Sequence, residues 1–328
     1  MDGVGVARTM WELGEPVHDL VYFSPEAREA ADGLGMRGFW MGYFALRAAP
    51  LGPVPAPVVT GAFYVFHPAR VAGALPDAWG CADPAAVVAA RERAMDAALT
   101  RVYGAERVAS ADLTEAADLA WRAAEAADTA GRVLGAANQA LDRPALPHVR
   151  LWQALTTLRE HRGDGHIAVL VAHGVGPVAA MVLKVAAGES DADLLRLGRK
   201  WDAEAWGTAV EELRDRGWLD ADGRLTAPGA AARARIEAET DAAAARPWRT
   251  LGADATARLA DLLAPLARTV LDTGLIPSGN PVGLTDGVWT GRPVPSPSAE
   301  SDRTWQKVSR TRPPAPRETP VPPTAPGG

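Results

Sequence analysis

The sequence has a single cysteine, few Phe and Tyr residues, no excess of basic charge and no long apolar run. One cysteine, Cys81, excludes an intramolecular disulfide and a cysteine-rich metal site. The net charge of −6 argues against a general affinity for nucleic acid or anionic lipid. No apolar stretch approaches the ~20 residues that a membrane-spanning helix needs, and Met1–Val4 carries an acid where a secretory signal carries bases. We therefore expect a cytoplasmic protein that does not contact a membrane.

Helix-forming residues dominate what is present. The chain is 48% hydrophobic and 6% aromatic, and strictly alternating runs of β-branched residues are nearly absent. This composition predicts a mainly α, multi-helical protein. Its 328 residues are enough for about two domains.

Three regions follow from the distribution of proline and of apolar residues. Residues 1–147 read as an N-terminal helical domain, and residues 148–280 as a winged helix-turn-helix domain with one further C-terminal helix. Residues 293–328 contain ten of the 27 prolines and few large apolar side chains. Because such a segment cannot bury enough surface to order itself, we expect a disordered tail.

The winged unit is predicted from the order of elements in the second region. Apolar residues recur at helical spacing in four segments, 149–162, 164–173, 175–187 and 203–217. Two short apolar strands then flank Asp222-Gly223, which is a hairpin signal, and Pro228 begins another helix. Three helices, a two-stranded wing and a helix form a winged helix-turn-helix.

Acidic residues dominate the surface of this unit that would face DNA. A DNA-reading helix presents basic, amide or hydroxyl side chains to bases and phosphates, whereas Ala203–Glu212 offers three acids and one hydroxyl. Residues 200–246 contain seven basic and ten acidic side chains. Because counterion release supplies most of the affinity of such modules, we do not expect this one to bind nucleic acid.

The stretch Leu158–His166 concentrates two His, two Arg, an Asp and a Glu within nine residues. We place it at a helix-turn-helix corner around Gly163, with Asp164 capping the following helix. Charged groups there lose solvation unless they pair with one another or with a ligand, so the stretch is a candidate site. The alternative is a structural corner whose polar groups are satisfied by its own backbone.

The predicted chemistry of this stretch is anion binding with proton transfer, because arginine binds carboxylate or phosphate and imidazole titrates near neutral pH. The predicted catalytic residues are His161, Asp164 and His166. The predicted ligand-binding residues are Arg47, Tyr43, Phe63, Arg159 and Arg162. Two histidines and a carboxylate could also hold a metal ion, but their spacing matches no established motif and the arginines would repel a cation. We therefore expect no metal and no cofactor.

Several short motifs follow one another along the chain: Tyr43–Gly52, Phe63–Pro68, Leu158–His166, Trp206, Leu225-Thr226, Thr240-Asp241 and Pro247-Trp248. In this order they resemble a poorly characterised bacterial group, the SalK-like helix-turn-helix proteins, from about Trp11 to Pro281. The resemblance implies a helix-turn-helix fold and maps the group's Arg-Gly-Asp-Gly-His stretch onto Arg162–His166, without assigning a reaction. The winged half resembles the MarR-type regulators more distantly, and its acidic recognition helix departs from them.

Three hypotheses of function follow. The first is a protein that binds a small anionic molecule on a repurposed winged-helix scaffold. This hypothesis leaves open whether the protein is also an enzyme of specialised metabolism that uses acid-base chemistry. The alternative is a MarR-like, ligand-responsive transcriptional regulator. The third is an interaction protein that uses the Pro-rich tail. Assembly as a homodimer or a heterodimer is compatible with each.

Overall fold

A computed structural model describes residues 3–277, 280 and 282. Helices make up most of this part, which confirms the predicted mainly α fold. The predicted disordered tail, residues 293–328, lies outside the described residues. The helices in chain order are α1 (Gly3–Phe23), α2 (Pro25–Gly33), α3 (Gly38–Ala48), α4 (Ala56–Phe63), α5 (Pro68–Ala72), α6 (Asp77–Cys81), α7 (Pro84–Tyr103), α8 (Ala105–Val108), α9 (Ala111–Glu125), α10 (Val133–Gln139), α11 (Pro147–Ala172), α12 (Pro177–Ala186), α13 (Ala192–Arg199), α14 (Ala203–Asp215), α15 (Ala227–Ala243), α16 (Arg246–Leu251) and α17 (Ala253–Asp272).

Local sequence explains where several helices begin. The side chains of Ser24, Asp83 and Ser110 each accept a backbone N–H from the first turn of the following helix. These donors have no partner inside the helix, so the caps satisfy them. Pro25 and Pro84 occupy first-turn positions, where the missing N–H costs nothing. Ser24 and Pro25 therefore identify the start of α2.

The larger of two hydrophobic cores surrounds α11. This helix packs against α1, α7, α9, α10 and α15, and its Trp152 is fully buried. The C-terminal helix α17 packs against α1 and α9 and closes the same core. Within the described residues no single helix has the length and hydropathy of a membrane span, and α11 and α12 reach them only as a pair bent by 101°.

The continuity of α11 contradicts the predicted corner around Gly163. Residues 147–172 form one helix, although it contains Gly163 and Gly165, and glycine has a low helix propensity. A Cβ at Gly165 would lie 2.5 Å from Nη1 of Arg132, whose guanidinium donates to the carbonyls of His161 and Ala243, so a side chain at this position would displace those contacts. Asp164 therefore caps α10 rather than a following helix, because its carboxylate accepts the N–H of Gly135 at 2.8 Å.

The second core is built from the end of α11 and from α12–α15. Between α14 and α15 the chain turns at Gly223 and forms a single antiparallel bridge, Leu219 to Leu225. The sequence predicted two strands here, and the described residues form only this one bridge. The reason is local: the Thr226 side chain already caps α15 by accepting the N–H of Gly229, so the hairpin ends after one residue pair.

The loop between α4 and α5 joins the two cores. The Tyr64 hydroxyl donates to the carbonyl of Val175 at 2.5 Å. The backbone N–H of His67 donates to the carbonyl of Arg199 at 3.1 Å, and the indole of Trp201 donates to the carbonyl of Val65 at 2.9 Å. We call the contact between residues 40–70 and residues 197–201 the seam.

Candidate functional site

Two arginines and a glutamate form a buried ion-pair network beside the seam. The Arg47 guanidinium donates to both carboxylate oxygens of Glu160, at 2.7 and 2.8 Å, and Arg159 Nη1 donates to the same carboxylate at 3.0 Å. Burial alone would raise the pKa of Glu160, but the two guanidinium groups outweigh burial and hold that pKa well below its usual range. Glu160 is therefore ionised, and it fixes the positions of Arg47 and Arg159.

Two predicted pocket residues contact Arg47. The Tyr43 hydroxyl accepts a hydrogen bond from Arg47 Nη1 at 3.2 Å. The Phe63 ring centroid lies 4.1 Å from the Arg47 guanidinium carbon, in cation–π geometry. The structure therefore brings Arg47, Tyr43 and Phe63 together, with Arg159 attached through Glu160. Tyr43 and Arg47 meet because residues four apart share one face of α3.

Two predicted catalytic residues face α10 and the loop before it. His161 Nε2 lies 3.0 Å from Oδ1 of Asp128, and burial lowers the pKa of His161. Burial raises the pKa of Asp164 to about 6, although this carboxyl accepts the N–H of Gly135. These contacts turn both side chains away from Arg47.

Arg162 and His166 face α15 instead. Arg162 Nη2 donates to Oδ1 of Asp241 at 2.7 Å, and its guanidinium carbon lies 4.9 Å from the ring of Trp11. His166 Nδ1 lies 2.9 Å from Oγ1 of Thr240, and burial lowers the pKa of His166 to about 4. The imidazole is therefore neutral at pH 7. The predicted roles of His161, Asp164 and His166 in proton transfer stay predictions.

Two further arginines lie at the seam beside Arg47. The Arg199 guanidinium carbon is 4.8 Å from the ring of Phe66, and the Arg70 guanidinium carbon is 4.8 Å from the ring of Trp40. In the described part of the chain neither arginine forms an ion pair, and the buried Nε of each has no hydrogen-bond partner. Burial lowers the pKa of Arg199; Tyr43 opposes this shift, and the charges of Arg47 and Arg70 reinforce it. The guanidinium groups of Arg47 and Arg70 thus lie close enough to Arg199 at the seam to act on its charge.

Metal ligation has no support in the residues described, since no group of three or more His, Cys, Asp or Glu side chains is arranged to hold an ion. The site is organised by arginines and aromatic rings. Such an arrangement suits anions and planar groups.

Comparison with protein families matches residues 7–277 to a model described as a helix-turn-helix family. The chain belongs to this helix-turn-helix family. The match includes α1 to α11 as well as α12 to α15, so the helices that surround Arg47 and Glu160 are part of what family members share. No functionally curated protein matches the chain, and no solved structure does.

The region predicted as the helix-turn-helix unit, α12 to α15, pairs some of its basic side chains with its own acids. Arg214 contacts Glu211 at 2.6 Å, and Arg224 contacts Asp222 at 2.8 Å. The helix α14, which was predicted as the recognition helix, leaves three carboxylates exposed, those of Glu204, Glu211 and Glu212. The basic groups of this surface are thus partly neutralised before any phosphate approaches.

Sequence reasoning missed Arg70 and Arg199, and also Arg91, a buried arginine of α7 whose guanidinium carbon lies 5.2 Å from the ring of Trp152. Helical spacing could have found Arg91, because it shares a face of α7 with the buried residues Val87 and Met95. Arg70 and Arg199 gave no such signal, since each lies at the end of a short helix, where a basic residue usually stabilises the helix dipole in solvent.

Proposed function

We propose that this protein binds a small anionic molecule with an apolar body at the seam. The observation that carries the proposal is the pair Arg70 and Arg199, two partly buried guanidinium groups without a carboxylate partner in the described chain. Unpaired charge in a partly buried place costs free energy, which an anionic ligand would offset. The partly exposed rings of Trp40 and Tyr43, whose centroids lie 5.7 Å apart, suit an apolar or aromatic body beside these arginines.

The residues around these two arginines support the same proposal. Tyr43 is partly exposed and places a hydroxyl beside the seam, while Arg47 is held by Glu160 and contributes a fixed positive charge. The helix-turn-helix unit contributes Arg199 from α13. In this proposal α12 to α15 form a winged helix-turn-helix related to the SalK-like proteins, with a wing that consists of one bridge. The role of this unit is to hold one side of the ligand site.

The proposal is tested with anions of known shape. We expect benzoate or phenyl phosphate to bind the full chain in isothermal titration calorimetry, and uncharged benzamide to bind far more weakly. Arg199→Gln should weaken the binding by about 10- to 100-fold, because a charge-assisted hydrogen bond contributes about 1.5–3 kcal/mol. The control is Arg224→Gln, which removes an exposed, acid-paired arginine and should leave the affinity unchanged.

Two outcomes would contradict the proposal. One is that neither anion binds and native mass spectrometry of the purified protein shows no co-purified small molecule. The other is that Arg199→Gln binds the anion as tightly as the wild-type protein does.

A DNA-binding regulator is the second candidate, and membership of a helix-turn-helix family favours it. The exposed acids of α14 oppose it, because phosphate contacts from basic residues provide most of the affinity of such proteins. An electrophoretic mobility shift assay with a promoter fragment decides between the two candidate functions. We expect no salt-sensitive complex at sub-micromolar protein, and a sequence-dependent complex would favour the regulator.

A further inference from the structure

Acidic residues are absent from both sides of the seam. Residues 33–76, which include the whole of one side, contain no Asp or Glu, although the chain has 40 acidic residues and a net charge of −6. Residues 197–201 form the other side, and they contain Arg199 and Lys200 but no acid. The seam is therefore a basic surface within an acidic protein.

The carboxylates of the neighbouring ion-pair network are already used. Glu160 binds Arg47 and Arg159, and Glu15 lies 3.2 Å from Arg159. Two guanidinium groups thus share two carboxylates. Asp19 is fully buried one turn after Glu15, and burial together with the Glu15 charge raises the pKa of Asp19 well above its usual value. This network has no negative charge left over for the seam.

Arg70 and Arg199 therefore leave two positive charges at the seam. Burial lowers the pKa of Arg199, the Tyr43 hydroxyl opposes this shift, and the charges of Arg47 and Arg70 reinforce it. Among the described residues no carboxylate takes part in that shift. The terminal nitrogens of Arg199 and Nη1 of Arg70 make no hydrogen bond there and, unlike the Nε atoms, they are not buried. These nitrogens can donate to a ligand.

The end of α13 accounts for only part of this charge. Arg70 Nη2 donates to the carbonyl of Leu197 at 2.9 Å in the last turn of α13, and Arg199 lies in the same turn. Because the C-terminus of a helix carries about half a negative charge, it offsets about a quarter of the two positive charges. About one and a half positive charges remain, which is more than one negative charge would balance.

We propose that the ligand of the seam carries two negative charges at its polar end, as a phosphate monoester or a dicarboxylate does. This inference rests on the proposed function and narrows its class of ligand. Arginine suits either group, because its planar guanidinium donates parallel hydrogen bonds to phosphate or carboxylate oxygens. Arg70 and Arg199 are then the residues that determine the preference for a second negative charge.

Two pairs of ligands with similar shapes test the charge. Phenyl phosphate and phenyl sulfate differ by one negative charge at about pH 7.5, because a phosphate monoester loses its second proton near pH 6. Phthalate and benzoate differ by one carboxylate. Isothermal titration calorimetry of the full chain compares each pair at one ionic strength, so that screening is equal.

We expect the dianion of at least one pair to bind the wild-type protein at least about 10-fold more tightly than its monoanion, because charges in a partly buried place are weakly screened. A preference for phenyl phosphate alone identifies a phosphate monoester site. A preference for phthalate alone identifies a dicarboxylate site, and both preferences together identify a site for either group.

Arg70→Gln and Arg199→Gln each remove one of the two charges. We expect each variant to bind dianion and monoanion within about threefold of each other. The control Arg235→Gln removes the same charge from an exposed position on α15, outside the seam, and should keep the full preference. If the two arginines only stabilised the end of α13, their variants would have lower thermal midpoints and an unchanged preference.

Equal affinities within both pairs would overturn this inference and leave the proposed function intact, since one negative charge would then be sufficient. The inference is also overturned if both arginine variants keep the full preference of the wild-type protein. If none of the four ligands binds, the proposed function and this inference fall together. The wild-type comparison decides even if a variant fails to fold.

Discussion

The direction of each polar side chain around α11 determines which residues meet. Successive residues of a helix point about 100° apart, so the charged stretch Leu158–His166 divides among four neighbouring helices once α11 is continuous. Arg159 points to α1 and Glu160 to α3. Asp164 points to α10 and Arg162 to α15. The sequence predicted that this stretch is polar and interior, but its assumed corner placed these side chains in one cleft.

Glu160 is the carboxylate that Arg47 and Arg159 share. Glu160→Gln would leave the largely buried Arg47 without a carboxylate partner in the described residues, while Arg159 keeps Glu15, so we expect the free energy of unfolding to fall by about 3–5 kcal/mol. Urea unfolding followed by circular dichroism measures this. The control Asp222→Asn breaks an exposed pair with Arg224 and should cost less than about 1 kcal/mol. A Glu160→Gln variant as stable as the wild-type protein would show that the network has no structural role.

Element boundaries were predictable where they depend on local chemistry. Ser24 and Pro25 identify the start of α2 because capping acts within one turn. The continuity of α11 was not predictable, because the side chains that pack against Gly165, those of Arg132 and Ala243, are far away in sequence. The predicted strands of the wing were too long, because the Thr226 side chain caps α15 and the helix begins directly after the bridge.

Substitution by alanine should have opposite effects at Gly135, where α10 packs closely on α11, and at Gly207, which lies in open space on α14. At Gly135 a new Cβ would lie 2.9 Å from Cα of His161, which is backbone and cannot move aside, so Gly135→Ala should destabilise the protein by about 1–3 kcal/mol. At Gly207 in α14 a new Cβ meets nothing within 4 Å, so Gly207→Ala should stabilise it by roughly 0.5–1 kcal/mol. Chemical denaturation measures both. A destabilising effect at Gly207, or none at Gly135, would contradict the packing described here.

At the scale of the whole molecule, composition and helical spacing predicted a mainly α protein, and the structure confirms it. The division into residues 1–147 and 148–280, and assembly as a dimer, stay predictions. The seam was not predictable, because it joins residues such as Val65 and Trp201 that are 136 positions apart. Periodicity indicates which face of a helix is buried but not which distant segment covers that face.

The location of a bound anion tests the central claim most directly. Crystals of the full chain grown with 4-bromobenzoate would show the bromine by anomalous scattering and the carboxylate by its density. We expect the carboxylate within hydrogen-bond distance of Arg199 or Arg70, and the brominated ring beside Trp40 and Tyr43. A bromine peak elsewhere on the molecule, with no density at the seam, would contradict the proposal that the seam is the ligand site.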